Sequence, residues 1–350
     1  MTATLAAPAA VDDATTVAVA SRSESRSDRV LPRILRWLSG WAGVVAAAVV
    51  GILLIGLAYR FSSEGLSADR YYAVFWAGML TALAPVAARL VGVHVERAQR
   101  LTALVLFGVL TLMPKFLRNP AGPAYHDEYA HWREALDVTT SGALFEPNAT
   151  IPIVEFFPGT SALTATAQSF SGLSIWSAAL LVVLITHLLG LFAVYLLGEA
   201  LLSSGRAGAV AALVYGINPS AIYFDTQYAY ESLAVNFFLW ALALTVLAAG
   251  AASDRNRRGY SFAAVVAAAG CVVTHHLTTI FLIVVLVVVA ATGVLRSRLT
   301  RGADPAVRAC AARAMRPWWV TLVSTVVITV AWVLLCARPT LDYLSPYLGT

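Results

Sequence analysis

The chain has 350 residues, of which 59% are hydrophobic and only 12% charged, with a formal net charge of +5. A soluble domain needs roughly 25% charged residues to cover its surface, so the composition excludes an ordinary soluble protein. Arg excess in such a chain collects in cytoplasmic loops, and without an aromatic-and-basic platform to read a strand, no nucleic acid is expected as a partner.

Residues 1–36 are rich in Ala, Ser, Asp and Arg without periodicity, which predicts a disordered cytoplasmic tail. The apolar stretch from Trp37 is long and no small-residue cleavage site precedes a soluble domain, so it reads as a first membrane helix rather than a signal peptide. Apolar runs then fall at 37–59, 71–92, 101–118, 176–198, 207–223, 231–250, 260–274, 277–295 and 318–336. Several reach the roughly 20 residues that cross a bilayer as helix. The expectation is an all-α polytopic membrane protein of about nine transmembrane helices. Residues 260–295 as one helix would be about 54 Å long against a hydrocarbon core of about 30 Å. Splitting the run at His275–His276 also puts the Arg clusters at 255–258 and 296–301 on one face.

With the tail inside, eighteen Lys and Arg fall on the cytoplasmic side and six outside, in the sense the positive-inside rule demands. The loop 119–175, the turn 223–232 and the hairpin tip 274–279 then share the extracytoplasmic face. They carry four of the six His, and the outside segments together carry eleven of the nineteen acids. Cys271, Cys310 and Cys336 are too scattered for a disulfide or zinc framework.

The first loop contains "GPAYHDEYAHWREALDV", 122–138. Asp127 and Glu128 there are either solvated loop charges or a general base held beside a membrane surface. Tyr125, His126, Tyr129, His131 and Trp132 make the segment amphipathic, with aromatics expected down at the interface. Lys115 and Arg118 just before it suit an anionic lipid headgroup. His275 and His276 stand at a membrane boundary, where polar residues point to function unless they are merely a solvated tip. Asp225, Tyr228 and Glu231 sit on an aromatic turn after Asn218–Pro219, where a helix should end, and the acids are candidates for a sugar site. His187, alone in an apolar span, reads as a hydrogen bond to a neighbouring helix. Asn148-Ala149-Thr150 is a glycosylation sequon of a kind common by chance. Arg338, outside the last span, has the fork geometry for phosphate. The histidines and acids are residue types that could take a divalent metal, but no HExxH-like spacing is present, so no metal ligand is assigned.

Three further stretches complete a pattern: "FFPGTSALTATAQSFSG" from Phe156, "AALVYGINP" over Ala211–Pro219, and Glu231 soon after. Together with the Asp127–Glu128 pair they resemble the GT-C superfamily of polyprenyl-phosphate-sugar glycosyltransferases, in the style of the protein mannosyltransferases. The resemblance covers roughly 115–250. It implies two added helices (37–92) before a seven-helix core (93–350), and an inverting transfer from a lipid-phosphate-linked sugar to a glycan, lipid or protein acceptor. Asp127 or Glu128 would be the base, with His126, His131, Lys115, Arg118, Asp225, Tyr228, Glu231, His275, His276 and Arg338 around the substrates. Departing from the family, the acidic loop follows the third span, and the chain stops soon after the core at "LDYLSPYLGT". The setting implied is the cell membrane, with membrane lipid around the chain and the active face outside. Rival readings are a transporter or flippase of lipid-linked substrates, and a non-catalytic subunit working with a protein partner in envelope-polysaccharide assembly.

Overall fold

The structure, a computed structural model, describes residues 40–348 with 301 and 303 excepted; the tail expected over 1–36 lies outside the described residues. Among the described residues every regular element is helical: α1 Trp41–Ser63, α2 Ala68–Val91, α3 Arg97–Arg118, α4 His126–Ser141, a 3-10 turn Pro152–Phe156, α5 Gly159–Ser171, α6 Ile175–Leu202, α7 Gly205–Ile217, α8 Pro219–Asp225, α9 Tyr230–Gly250, α10 Asp254–Thr274, α11 His276–Leu299, α12 Pro305–Leu335 and α13 Pro339–Leu348. Seven of these, α1, α2, α3, α6, α9, α11 and α12, are long and apolar enough to cross a membrane, and the bent pair α7–α8 makes up to eight. The chain is a polytopic helical membrane protein.

The helices form two packed groups. In the first, α1, α2, α3, α6 and α7 bury Val44, Val86, Phe107, Leu191 and Ala212 together. Small residues set the α1–α2 crossing: a side chain at Gly51 would meet Gly78 O and Ala82 Cβ, both at 2.6 Å. Close backbone approach of this kind is how membrane helices gain contact where lipid supplies no hydrophobic drive. In the second group, α9, α10, α11 and α12 bury Ala241, Ala268, Cys271 and Leu286.

Chain breaks follow local chemistry. The α10–α11 break falls at His275, whose backbone is extended, as the length argument requires. Asn218 caps α8 by accepting from Ser220 and Ala221 N–H, and Pro219 starts that helix. The run expected as one span over 207–223 is therefore bent by 74°. At the far end, α12 begins at Pro305, well before the apolar run at 318. Helices α4 and α5 with the 3-10 turn lie across one end of the bundle, where Ile153, Val154, Phe157, Tyr230 and Ala337 share a core.

Candidate functional site

Helix α4 turns polar side chains inward. Its buried positions are Glu128, Ala130, His131, Glu134 and Ala135, whereas Tyr129 is 52% exposed. Polar groups can be buried here because each of the first two meets a partner from another segment, which offsets the loss of water.

Glu128 is fully buried and saturated. One carboxylate oxygen takes the Lys115 ammonium and the Tyr228 N–H at 3.0 Å; the other takes Ala124 N–H at 2.9 Å and Tyr125 N–H at 3.3 Å. The Lys115 ammonium also sits 4.9 Å and 5.5 Å from the ring centres of Tyr125 and Trp176. The pair therefore ties α3 to the start of α4 and to the segment before α9. Tyr228 is buried likewise, its hydroxyl donating to Thr164 Oγ1 at 2.8 Å, so it joins α5 to that segment rather than facing a substrate.

Asp127 is different. Its side chain is 50% exposed and lies 3.1 Å from His126 Nδ1, itself at the surface. It is close enough to act electrostatically on His131, Tyr230 and Glu231. Those residues belong to one cluster. The Tyr230 N–H donates to His131 Nε2 at 3.3 Å, and the two rings are 4.6 Å apart. The Tyr230 ring is 4.2 Å from His275, whose Nδ1 is 2.8 Å from Thr278 Oγ1 and whose Nε2 faces Glu231 Oε1 at 3.9 Å. His276 packs 5.1 Å from Phe157 and 5.7 Å from Tyr343, and neither of its ring nitrogens has a hydrogen-bond partner. Gly159 allows this assembly: a Cβ there would lie 2.2 Å from Thr274 Oγ1, so only glycine lets α5 begin against the end of α10. Arg338 is exposed and follows Ala337, which is buried against this cluster's base.

Burial holds the His131 imidazole down to about 4, Asp127 opposing the shift. Glu134, 3% exposed one turn beyond, is pushed up to about 8, chiefly by burial, with Glu155 and Asp137 adding to it and a bond from Ser161 opposing. It had no sequence signal beyond its charge. Among the described residues no three His, Cys, Asp or Glu side chains are placed to hold a metal ion.

The structure sends Asp225, another expected site residue, elsewhere. Asp225 is buried 2.5 Å from His187 Nδ1, and His187 Nε2 is 2.9 Å from Thr111 Oγ1. His187 is thus the interhelical bond foreseen, and Asp225 its partner instead of part of the Tyr230 cluster. Asn148 is also buried; its Nδ2 donates to Ala130 O and its Oδ1 accepts from Thr150 and Ile151 N–H, so the sequon is a structural turn.

On the other flank of α4's start lies an apolar cavity of about 680 Å³ between α2, α3, α7 and α8, with Lys115, Arg118, Asn119 and Tyr125 at one end. Compared with protein families, curated proteins and solved structures, the chain finds no match in any.

Proposed function

We propose that the chain is an integral membrane glycosyltransferase that passes a sugar from a polyprenyl-phosphate donor to an acceptor hydroxyl on the extracytoplasmic face, with inversion. The observation that carries this reading is the division of the acidic pair. Glu128 spends all its bonds on the fold, while its neighbour Asp127 stays half exposed and close enough to act electrostatically on His131, Tyr230 and Glu231. Asp127 is then the general base. It takes the acceptor proton, the acceptor oxygen attacks the anomeric carbon from the side opposite the phosphate, and the bond to phosphate breaks with its electron pair on the leaving group. Arg338 at the cluster's rim supplies positive charge toward that phosphate.

The packing also supports a count of nine crossings. The Tyr230 ring packs against both His131 and His275. We read the chain as crossing an even number of times between the members of each contacting pair. Helix α6 needs α7–α8 to return, and α9 needs α10. At 21 residues α10 reaches about 31 Å.

The test is transfer by purified protein from polyprenyl-phosphate sugars. Loss of a general base removes about 10²–10⁴ in rate, so Asp127→Asn should fall at least about 100-fold while unfolding like wild type. Transfer by Asp127→Asn at the wild-type rate would refute the assignment. A transporter reading draws on one observation, the broken helix α7–α8 with Asp225–His187 buried beside the break. Substrate flux in proteoliposomes without product would favour it.

A further inference from the structure

The apolar cavity is built from parts that the sequence divides. One wall is the α2 face Phe75, Met79, Leu83 and Ala87, spaced four apart and so stacked on one side of a helix. Tyr59 of α1 joins it. The opposite wall is Phe107 of α3 with Leu213 and Gly216 of α7. The bend at Asn218–Pro219 swings α8 away and leaves Pro219, Ile222 and Tyr223 around the polar end. On the outer edge, Trp76 is 59% and Leu80 66% exposed, so the cavity opens sideways toward hydrocarbon. A volume of 680 Å³ is within the range of small-molecule pockets.

Its charge can be counted. No Asp or Glu lines it; its two cations are Lys115 and Arg118. The Lys115 ammonium is neutralised by Glu128 and covered by two rings. Among the described residues no carboxylate pairs with the exposed Arg118, which lies one turn further along α3 with Asn119 beside it. The net charge at the mouth is therefore +1, at the end of an otherwise apolar, laterally open groove.

We infer that this groove binds a membrane lipid whose phosphodiester headgroup carries one negative charge, its chain along α2 and its phosphate on Arg118. Arg118 is the specificity-determining residue, and Lys115 is not. An apolar chain explains the long uncharged wall, a single cation matches a single anion, and a guanidinium fork suits two phosphate oxygens. The site joins α1–α2 to the remaining helices, so a bound lipid would also cement them. It stands whether or not the chain transfers sugar.

The full chain in micelles can be titrated with phosphatidylglycerol, phosphatidylcholine and inorganic phosphate, and bound species counted by native mass spectrometry. One phosphatidylglycerol should bind about five-fold more tightly than phosphatidylcholine, the contribution of one Arg near an anionic headgroup. Arg118→Gln should bring that ratio to about one. Ala84→Trp, which fills the groove from an exposed α2 position while leaving its charge intact, should remove the tight site. Millimolar phosphate should not compete. Preference surviving in Arg118→Gln, a tight lipid retained in Ala84→Trp, equal binding of the two lipids to wild type, or displacement by phosphate alone would each overturn the inference. Both positions are exposed, and intact helical circular dichroism checks that the variants fold.

Discussion

Glu128→Gln should unfold the chain more easily than any change at Asp127. The carboxylate is inaccessible to water and holds an ammonium that is itself 6% exposed. Its other three bonds come from backbone N–H groups at 2.9–3.3 Å. A Gln carbonyl can keep part of that set, but its NH₂ faces donors where an acceptor is required. Lys115 is then left charged without its counter-ion. Breaking one side of a buried pair costs about 3–5 kcal/mol, most of it from the stranded partner. Lys115→Met should cost a similar amount for the mirror reason. The double variant should cost clearly less than the sum, because each change removes the group that the other strands. Equilibrium unfolding in mixed micelles, followed by circular dichroism, measures all three. A Glu128→Gln variant within about 1 kcal/mol of wild type, or a double variant equal to the sum, would refute a structural role for the pair.

Glu134 makes stability depend on pH. Its folded value near 8 lies above its ordinary 4.5, so its contribution is complete below about 4.5 and is lost as pH rises through 8. His131, lowered from 6.5 to about 4, contributes above 6.5 and loses that as pH falls through 4. Between 6.5 and 8 His131 no longer adds to the slope, so Glu134→Gln should reduce the fall in stability seen there in unfolding titrations. Asp225→Asn should lower stability by about 3 kcal/mol, by uncoupling a pair buried to 1% and 3% exposure. Thr111→Val, which removes a single neutral bond to that pair, should cost about 1 kcal/mol in the same assay.

Much of the architecture was legible because bilayer thickness is a hard ruler. Length required a break within 260–295 and the Arg clusters on either side agreed with one at His275–His276; α10 ends at Thr274 and α11 starts at His276. Pro219 after Asn218 marked a helix end, but not that a short helix would continue at 74°. Hydropathy also missed the start of α12. Residues 305–316 are Ala- and Arg-rich, good helix formers that no apolar window would count. Helix α10 falls outside the apolar set for a related reason: "DRNRRG" occupies its first turns and lowers its mean although its later part is apolar.

The site was legible in its residue types and not in their roles. The cluster unites positions 131, 231, 275 and 276, all expected around the substrates, with Asp127 acting on it electrostatically, yet residue type alone does not distinguish the roles of Asp127 and Glu128. Consecutive residues on a helix point about 100° apart, so two adjacent carboxylates in the first turn cannot face the same surroundings. Which of them turns inward depends on Lys115 and on the Tyr228 N–H, 13 and 100 positions away. Glutamate at 128 also stands three residues into the turn from Tyr125, where its longer side chain can reach back to free N–H groups at the helix start. An aspartate there is one methylene shorter and would reach less far. An adjacent acidic pair at the head of a buried helix is therefore driven to divide its work. The longer acid is drawn into the fold, and the shorter one is left facing water.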